Sequence, residues 1–284
     1  MKFTNYIFDL YGTLLDVSTN EAKGKLWREL AKIYNVYGCG WEARALYKRF
    51  FEMDAEERKK TGEWNGCETP EIRLEKVFLR LLFEPAEPSD LHPVDACIAE
   101  RKLEEWREAY GREPDTVLDL LKDSDWVYFM ANIFRTLSRE YIRPYDNTIP
   151  LLEKLKKKKK KIFLLSNAQR IFTWPELEES GILPYFDAVY ISSDHDRKKP
   201  DPLFLDILLK EQELKKEECV MVGNEIDADV RIALSRGMHS IYVNTHHLDK
   251  KEVKEKIEEE MKRSGADKKI SPKVIQNGDI GKAV

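Results

Sequence analysis

The sequence predicts an α/β fold, a doubly wound, Rossmann-like parallel sheet into which an all-α cap domain is inserted after the first strand. Residues 144–245 alternate short apolar segments with amphipathic helical segments, the pattern of a parallel sheet with helical crossovers. A similar apolar segment, residues 6–8, stands alone near the start, and helical periodicity dominates the residues between them. We therefore expect a core domain of residues 1–16 and 144–284 and a helical cap of residues 17–143.

The first predicted strand ends on a carboxylate. Asp9 directly follows residues 6–8, and Gly12 and Thr13 come shortly after it. In open α/β sheets ligands bind at the carboxyl ends of the strands, so Asp9 is placed where a substrate would bind. Enzyme carboxylates can form covalent intermediates, which makes Asp9 a candidate nucleophile. The alternative is an aspartate that caps an ordinary turn.

The inserted region carries signals for several helices. Residues 18–21 fit a capping box that would start a first helix, and Thr69 followed by Pro70 fits the start of another. Further helices are expected over residues 94–110 and 115–141. The last of these carries side chains that we expect in the core of the cap, namely Trp126, Met130, Ile133, Phe134, Leu137 and Tyr141.

The region after the insertion predicts the other strands of the sheet. Its apolar segments cover residues 162–165, 188–191, 219–222 and 240–243, with an edge strand near residues 273–275. Helical patterns lie near residues 148–159, 174–180, 202–213 and 227–236. Because strands and helices alternate, right-handed crossovers would keep the strands parallel and bring their carboxyl ends to one edge.

Polar side chains follow two of these strands in a way that suits anion binding. Ser166 and Asn167 could hold an anionic oxygen with neutral donors, although a Ser-Asn pair also forms ordinary turns. Lys199 precedes Pro200 near the start of a predicted helix, where its ammonium could neutralise a carboxylate and an oxyanion. The alternative for any single lysine is a position on the solvated surface.

Three carboxylates crowd another strand end. Glu225, Asp227 and Asp229 follow the strand of residues 219–222. Such crowding is costly unless a cation or protons relieve it, and hard oxygen ligands suit Mg²⁺. A charged first turn of a helix is the alternative explanation.

The composition argues against several classes of function. The 284 residues carry a net charge of -4 with both signs interspersed, so we expect no nucleic-acid partner. An apolar run of roughly 18 residues is absent from the sequence, so we expect no membrane partner. The four cysteines form no CxxC pair and no zinc spacing, which favours reduced thiols and a cytoplasmic location: Cys39, Cys67, Cys97 and Cys219. The expected partner is a small, anionic substrate, and the oligomeric state is not predicted.

Taken in order along the chain, these residues resemble the four motifs of the haloacid dehalogenase superfamily of hydrolases. The similar segments are residues 6–14, 165–167, 199–202 and 222–229. The resemblance covers residues 3–16 and 144–245, and it implies that residues 17–143 are the helical cap that this family inserts after its first motif.

The resemblance also implies roles for individual residues. Asp9 would be the nucleophile, Lys199 would offset charge on the nucleophile and substrate, and Ser166 would hold the transferred group. The Tyr11 side chain is a further catalytic candidate on its own chemistry, because its phenol could donate a proton. Substrate-binding roles are implied for Gly12, Thr13 and Asn167. In magnesium-dependent members the metal is held by the nucleophile, a main-chain carbonyl two residues later and fourth-motif acids, which correspond here to Asp9, the Tyr11 carbonyl, Asp229 and either Asn224 or Glu225.

One departure leaves the reaction open. Phosphatases that resemble this chain have a second aspartate two positions after the nucleophile, which acts as general acid and base, whereas this chain has Tyr11. Tyrosine there is the form found in 2-haloacid dehalogenases, which need no metal and whose halide leaves without a proton. A general acid speeds hydrolysis of an alkyl phosphate ester by about 10²–10⁴-fold. Without that acid, the substrates would be limited to compounds with good leaving groups.

The acidic residues of the predicted site favour a phosphatase over a dehalogenase. A carboxylate that attacks a dianionic phosphate needs a divalent cation, and Glu225 and Asp229 would suit one. We therefore expect a Mg²⁺-assisted phosphate hydrolase that acts through an aspartyl-enzyme intermediate on small substrates. Two alternatives remain, a metal-independent 2-haloacid dehalogenase and a non-catalytic relative that uses its cap to bind a partner.

Overall fold

The structure is a computed structural model that describes residues 3–86 and 96–284. The strands are β1 (Asn5–Phe8), β2 (Leu15–Thr19), β3 (Cys97–Ile98), β4 (Arg101–Lys102), β5 (Arg139–Pro144), β6 (Lys161–Ser166), β7 (Ala188–Ile191), β8 (Cys219–Gly223), β9 (His239–Val243) and β10 (Lys273–Ile275). The helices are α1 (Gly24–Val36), α2 (Ala43–Asn65), α3 (Leu74–Phe83), α4 (Leu103–Arg112), α5 (Pro114–Leu121), α6 (Asp125–Ser138), α7 (Thr148–Lys157), α8 (Arg170–Glu179), α9 (Pro202–Glu211), α10 (Arg231–Ser235) and α11 (Lys250–Ser264).

Six strands form the predicted parallel sheet, in the order β10-β9-β8-β1-β6-β7. β1 lies between β8 and β6, with Ile7 opposite Met221 on one side and Phe163 on the other. Each pairing within this sheet is parallel, which confirms the α/β fold class. The edge strand predicted near residues 273–275 is confirmed as β10.

Both faces of the sheet are buried, as they are in doubly wound folds. Along β1, Tyr6 and Phe8 point into one apolar cluster, which includes Leu152 of α7. Ile7 points into the other, which includes Phe204 of α9. Because neighbouring residues of a strand face opposite sides, β1 contributes to both clusters, and it is buried along its whole length.

The described chain divides into two units. The sheet unit comprises the described residues of Met1–Ser18, Gly66–Glu71 and Tyr141–Val284, and the helical unit those of Thr19–Asn65 and Ile72–Glu140. The helical unit has its own aromatic core, in which the ring of Phe134 lies 5.3 Å from that of Phe50 and 5.5 Å from that of Phe78. Phe134 and Met130 are fully buried, as expected, whereas Tyr141 is exposed and belongs to the sheet unit.

The first helix of the insertion does not begin where the sequence predicts. The capping box expected at residues 18–21 is wrong, because Ser18 and Thr19 continue β2. β2 pairs with β5 in a separate two-stranded sheet. Ser18 and Thr19 are therefore extended, and a helix cannot start at them. α1 begins instead at Gly24 and has no side-chain hydrogen bond at its N-cap.

The helix predicted to start at Thr69 and Pro70 is also misplaced. α3 begins at Leu74, and Pro70 forms an isolated antiparallel bridge with Arg197 of the sheet unit. Residues Gly66–Glu71, which we call the strap, therefore belong to the sheet unit although their sequence position lies within the expected cap.

The two remaining helices predicted in the insertion are each divided. Residues 96–110 begin with a short hairpin of β3 and β4 before α4, while residues 94–95 lie outside the described residues. Residues 115–141 form α5 and α6, separated by a turn near Ser124, and then enter β5. In residues 3–86 and 96–284, none of the helices has the length and apolar character needed to cross a membrane.

Candidate active site

The candidate site lies where β1, β6 and β8 end. Asp9 follows β1, Ser166 ends β6, and Gly223 ends β8. These strands are neighbours and run parallel, so their carboxyl ends lie at the same edge of the sheet. Residues that are more than 200 positions apart in the sequence therefore meet at one place.

The centre of the site is a buried trio of charges. The Lys199 ammonium lies 2.6 Å from Asp9 Oδ1 and 2.7 Å from Asp229 Oδ1, and all three residues are at least nine-tenths buried. Burial alone would lower the pKa of Lys199, but the carboxylates of Asp229 and Asp9 outweigh it and raise that pKa. Burial raises the pKa of the Asp229 carboxyl to about 7, although Lys199 acts in the opposite direction. The trio thus holds one cation between two carboxylates.

Two glycines allow the acids to sit this close to the main chain. Gly223 faces the Asp229 carboxylate so tightly that a Cβ there would lie 2.1 Å from Oδ2. Gly12 has a φ of +77°, and a Cβ would lie 2.3 Å from Asn224 Nδ2. A side chain at either position would displace a polar group of the site, so both glycines are required by close approach.

Thr13 connects the first and fourth motifs. Its hydroxyl is buried and lies 3.1 Å from Asp9 Oδ2 and 3.0 Å from Asn224 Oδ1. A hydroxyl has a single proton, so Thr13 donates to one of these oxygens at a time. Thr13 is therefore in place to orient the second oxygen of the Asp9 carboxylate.

The second motif holds the main chain around Lys199. Asn167 donates from Nδ2 to the Lys199 carbonyl at 2.9 Å, and its Oδ1 accepts the Lys199 N–H at 2.7 Å. The Asn167 amide, expected to contact substrate, is thus engaged with the Lys199 main chain. Ser166 Oγ is buried and has no hydrogen-bond partner among the described residues. A buried hydroxyl of this kind is available to a bound anion.

Tyr11 has partners that the sequence did not predict. Its hydroxyl donates to the Glu176 carboxylate and lies 3.1 Å from Thr173 Oγ1. Both partners are on α8 and are buried, at 2% and 0% relative exposure. Polar side chains three positions apart on one helix face are a signal for such a pair, but the spacing alone does not identify Tyr11 as their partner.

The acids of the fourth motif do not gather as a cluster of three. Asp229 is buried in the trio, whereas Glu225 and Asp227 are exposed. Glu225 contributes its main-chain N–H, which donates to Asp229 Oδ2 at 2.9 Å. Its carboxylate instead lies 2.7 Å from Nε2 of His246, which follows β9. Asn224 also contacts His246, at 3.0 Å.

The residues at the centre of the site fit Mg²⁺, but they include only some of the ligands that the sequence predicted. Asp9 and Asp229 offer buried carboxyl oxygens. Carboxylate and main-chain carbonyl oxygens are ligands that suit Mg²⁺, and the Tyr11 carbonyl, which the resemblance implies as a third donor, follows Asp9 by two residues. Within residues 3–86 and 96–284, no group of three or more His, Cys, Asp or Glu side chains is arranged to hold a metal. Side chains would therefore supply two ligands.

The chain matches a known family over most of its length. Residues 4–235 match the family described as hydrolase: haloacid dehalogenase-like hydrolase. Among solved structures, a 2-haloacid dehalogenase from Pseudomonas syringae pv. Tomato DC3000 is 18% identical, with a TM-score of 0.58 over 99% of this chain and 96% of that chain. At this identity the likeness concerns the fold alone.

Several curated proteins are similar in sequence. A glyceraldehyde 3-phosphate phosphatase of Methanothermobacter thermautotrophicus is 30% identical over 139 residues, 49% of this chain and 59% of that protein. Pyrimidine 5′-nucleotidase PynA of Streptococcus pneumoniae is 30% identical over 122 residues, 43% of this chain and 52% of that protein. An N-acylneuraminate-9-phosphatase of Rattus norvegicus is 24% identical over 238 residues, 84% and 81% of the two chains. The chain spans about half the length of the first two relatives.

Proposed function

We propose that this chain, which belongs to the haloacid dehalogenase-like hydrolase family, is a Mg²⁺-assisted hydrolase of small phosphorylated substrates. The observation that carries the proposal is the buried trio of Asp9, Lys199 and Asp229 at the carboxyl edge of the sheet. The relatives that match about half of their own length are named as phosphatases and a nucleotidase, which supports phosphate as the transferred group.

Asp9 would act as the nucleophile in two balanced steps. A carboxylate oxygen of Asp9 bonds to phosphorus while the bond from phosphorus to the leaving-group oxygen breaks. A water oxygen then bonds to phosphorus, the bond to Asp9 breaks, and inorganic phosphate leaves with Asp9 restored. Thr13 would orient Asp9, and Lys199 would offset negative charge on Asp9 and on the phosphoryl oxygens. Ser166 Oγ would donate to one of those oxygens.

The metal would be held by Asp9, Asp229 and the main-chain carbonyl of Tyr11. When bound there, Mg²⁺ supplies the positive charge that lets a carboxylate approach a dianionic phosphate. Glu225 and Asn224, also expected as ligands, would contribute through the main-chain bond to Asp229 and through Thr13 respectively.

The surroundings of Tyr11 support good leaving groups as the substrate class. The Tyr11 hydroxyl donates to Glu176, so in this arrangement its proton is directed away from a leaving group. An acyl phosphate or an aryl phosphate leaves without full protonation, whereas an alkyl ester gains about 10²–10⁴-fold from an acid. We therefore expect acetyl phosphate and p-nitrophenyl phosphate to be better substrates than alkyl phosphates.

The test compares three substrates under two metal conditions. Acetyl phosphate and p-nitrophenyl phosphate are expected to be hydrolysed with Mg²⁺ and not with EDTA, and 2-chloropropionate is expected to be unchanged in both. Asp9→Asn serves as the inactive control, because it removes the nucleophile and retains the size of the side chain. Metal-independent release of chloride from 2-chloropropionate, with both phosphates left intact, would refute the proposal.

A 2-haloacid dehalogenase is the second candidate, and the position of Glu225 favours it. Its carboxylate is exposed and bonded to His246, so the site lacks the third acidic side chain that the sequence suggested. With Tyr11 in place of an acid, the remaining trio would suffice for displacement of halide, which needs no proton. The chloride assay above separates this candidate from the first.

A further inference from the structure

The strap, Gly66–Glu71, is bonded to the main chain immediately before Lys199. The N–H of Lys198 donates to the Thr69 carbonyl at 3.2 Å, and the Thr69 hydroxyl donates to the Lys198 carbonyl at 3.2 Å. Pro70 and Arg197 form the adjoining antiparallel bridge. A segment of the insertion is thus fixed to the loop that carries the central ammonium of the site.

Glu71, the last residue of the strap, extends these contacts to the loop that follows Ser166. Its carboxylate is buried at 4% relative exposure and accepts from Ser192 Oγ at 3.0 Å and from Gln169 Nε2 at 3.3 Å. Ser192 Oγ in turn accepts the N–H of Ala168 at 2.8 Å and lies 3.1 Å from the Ala168 carbonyl, so its single proton is donated either to Glu71 or to that carbonyl at a given time. One buried carboxylate therefore joins the second-motif loop to the end of β7.

The other end of the strap reaches the helix that begins after Lys199. The Cys67 thiol lies 3.0 Å from Asp201 Oδ2. Asp201 accepts the Leu203 N–H at the N-terminus of α9 and is paired with Arg197 at 2.7 Å. The strap therefore contacts the chain on both sides of Lys199.

We propose that the strap is a positioning element for the active site and that Glu71 is its principal residue. The inference rests on the proposed function, in which Ser166 and Lys199 act on the substrate. Glu71 holds the loop after Ser166 against Ser192, and Thr69 holds the strand of chain that leads into Lys199. Hydrogen bonds to a buried carboxylate are stronger than those between neutral groups, so this link resists displacement. Displacement of reacting groups by about 1 Å can cost 10²-fold in rate.

The first test separates positioning from general stability by kinetics. Glu71→Ala removes both accepted hydrogen bonds, and Glu71→Gln retains the shape while removing the charge. We expect kcat for acetyl phosphate to fall about tenfold or more in Glu71→Ala, less in Glu71→Gln, with a smaller change in KM in each. The matched control is Glu68→Gln, since Glu68 lies on the same strap and is exposed; its kcat is expected to equal that of the parent.

A double-mutant cycle with Ser192→Ala identifies the bond through which Glu71 acts. If Glu71 positions the loop through Ser192, the double variant Glu71→Gln/Ser192→Ala loses little more kcat than the more impaired single variant. Fully additive losses would overturn the assignment of Glu71 as a residue that acts through Ser192.

Hydrogen exchange tests the strap independently of catalysis. The amides of Ala168 and Lys198 donate to Ser192 Oγ and to the Thr69 carbonyl, so both are expected to exchange faster in Glu71→Ala than in the parent and in Glu68→Gln. This measurement decides the inference even if the parent hydrolyses none of the phosphates. Unchanged exchange at both amides, or faster exchange with unchanged kcat in an active parent, would overturn it.

Discussion

The sheet unit and the helical unit use buried polar groups very differently. In the described residues of the helical unit, the buried polar or charged side chains are Glu75 and Ser138. The sheet unit buries many more, and those at the carboxyl ends of β1, β6, β7 and β8 include Asp9, Thr13, Ser166, Ser192, Lys199, Asn224 and Asp229. Burying charge is costly, and buried titratable groups are often found at functional sites, so their concentration in the sheet unit supports the proposed location of the active site.

The helical unit owes its stability to aromatic packing instead. Trp27, Phe50, Phe78 and Phe134 are buried and form a chain of ring contacts between 5.2 and 5.9 Å. Aromatic pairs at these distances add to the stabilisation that burial provides. Substitutions in the two units should therefore have separable effects. Those in the sheet unit should mainly change the reaction, and those in the helical unit should mainly change folding stability.

The largest expected effect is that of Asp9→Asn in the sheet unit. The variant lacks the nucleophile, so phosphate hydrolysis should fall by about 10³-fold or more. The thermal unfolding midpoint should change little, because the asparagine oxygen can still accept from Lys199, which also keeps Asp229 as its counter-ion, and Thr13 can donate to Asn224. The matched control, Asp227→Asn, changes an exposed acid of the fourth motif and should retain parental activity. Equal activity of Asp9→Asn and the parent in every assay would favour a non-catalytic relative.

Lys199→Met should combine loss of activity with loss of stability. Removing one partner of a buried ion pair costs about 3–5 kcal/mol in the free energy of unfolding, measured by urea denaturation with EDTA present. Lys199 lowers the pKa of the Asp229 carboxyl, so without the ammonium burial would raise that pKa still further above its unfolded value. The deficit should therefore be smaller at pH 5 and grow as the pH rises to 8. Lys198→Met, one position earlier, is the control, and a deficit independent of pH would contradict the interpretation.

Phe134→Ala should destabilise the helical unit without removing the chemistry. Truncation of a buried phenylalanine costs about 3–5 kcal/mol. Hydrogen exchange should become faster in α1, α2, α3 and α6, while the amides of β1, β6 and β8 stay protected. The control is Phe129→Ala, since Phe129 is exposed on the same helix. Equal loss of protection in both units would break the distinction between them.

Tyr11→Phe should have a moderate effect that reports on the reaction. The substitution removes the hydroxyl that donates to the buried Glu176 carboxylate. We expect this to lower the free energy of unfolding by about 1–3 kcal/mol. Hydrolysis of acetyl phosphate and of alkyl phosphates should both be nearly unchanged, because the Tyr11 proton is directed to Glu176 and not to a leaving group. A selective loss of activity toward alkyl phosphates, with acetyl phosphate unaffected, would instead identify Tyr11 as the general acid.

The smallest effect concerns one buried cysteine in each unit. Burial raises the pKa of Cys39 and of Cys219 to about 11, so at pH 8 both are almost entirely thiols. The thiolate is the reactive form, and a pKa two units above the ordinary thiol value leaves about 100-fold less of it. A thiol reagent should therefore modify the exposed Cys97 long before these two. Rapid modification of Cys39 in the native protein would contradict the packing of the helical unit.

Prediction from the sequence succeeded where local pattern and packing agree. The strands predicted at residues 188–191 and near residues 273–275 coincide with β7 and β10, and the others differ by one residue at one or both ends. Apolar segments of this length are buried on both sides in a parallel sheet, so the pattern is strong. The motif order along the chain also led to Asp9, Lys199 and Asp229 as partners. In the structure the carboxylates of Asp9 and Asp229 lie 2.6 and 2.7 Å from the Lys199 ammonium nitrogen.

Prediction failed where a distant segment competes with a local signal. Thr69 and Pro70 have the residue types of a helix start, but they pair with the chain at Arg197 and Lys198. Glu176 lies 165 residues from Tyr11, and nothing in the spacing of either residue indicates the other. Long-range hydrogen bonds of this kind depend on which elements become neighbours after folding.

The alternation of apolar strands with helices was sufficient to assign the fold class, and the polar residue after the first strand placed Asp9 at the carboxyl edge of the sheet, whereas Lys199 and Asp229 were singled out as its partners by the resemblance to the family motifs. The fold class and the position of Asp9 follow from short-range periodicity and from the rule that parallel strands end at one edge. The surroundings of those charges required the tertiary structure, which joins the strap to the Lys199 loop, turns Glu225 toward His246 and engages Tyr11 with α8. These contacts depend on geometry between elements, because a side chain's partner is chosen by what lies within about 3 Å after packing.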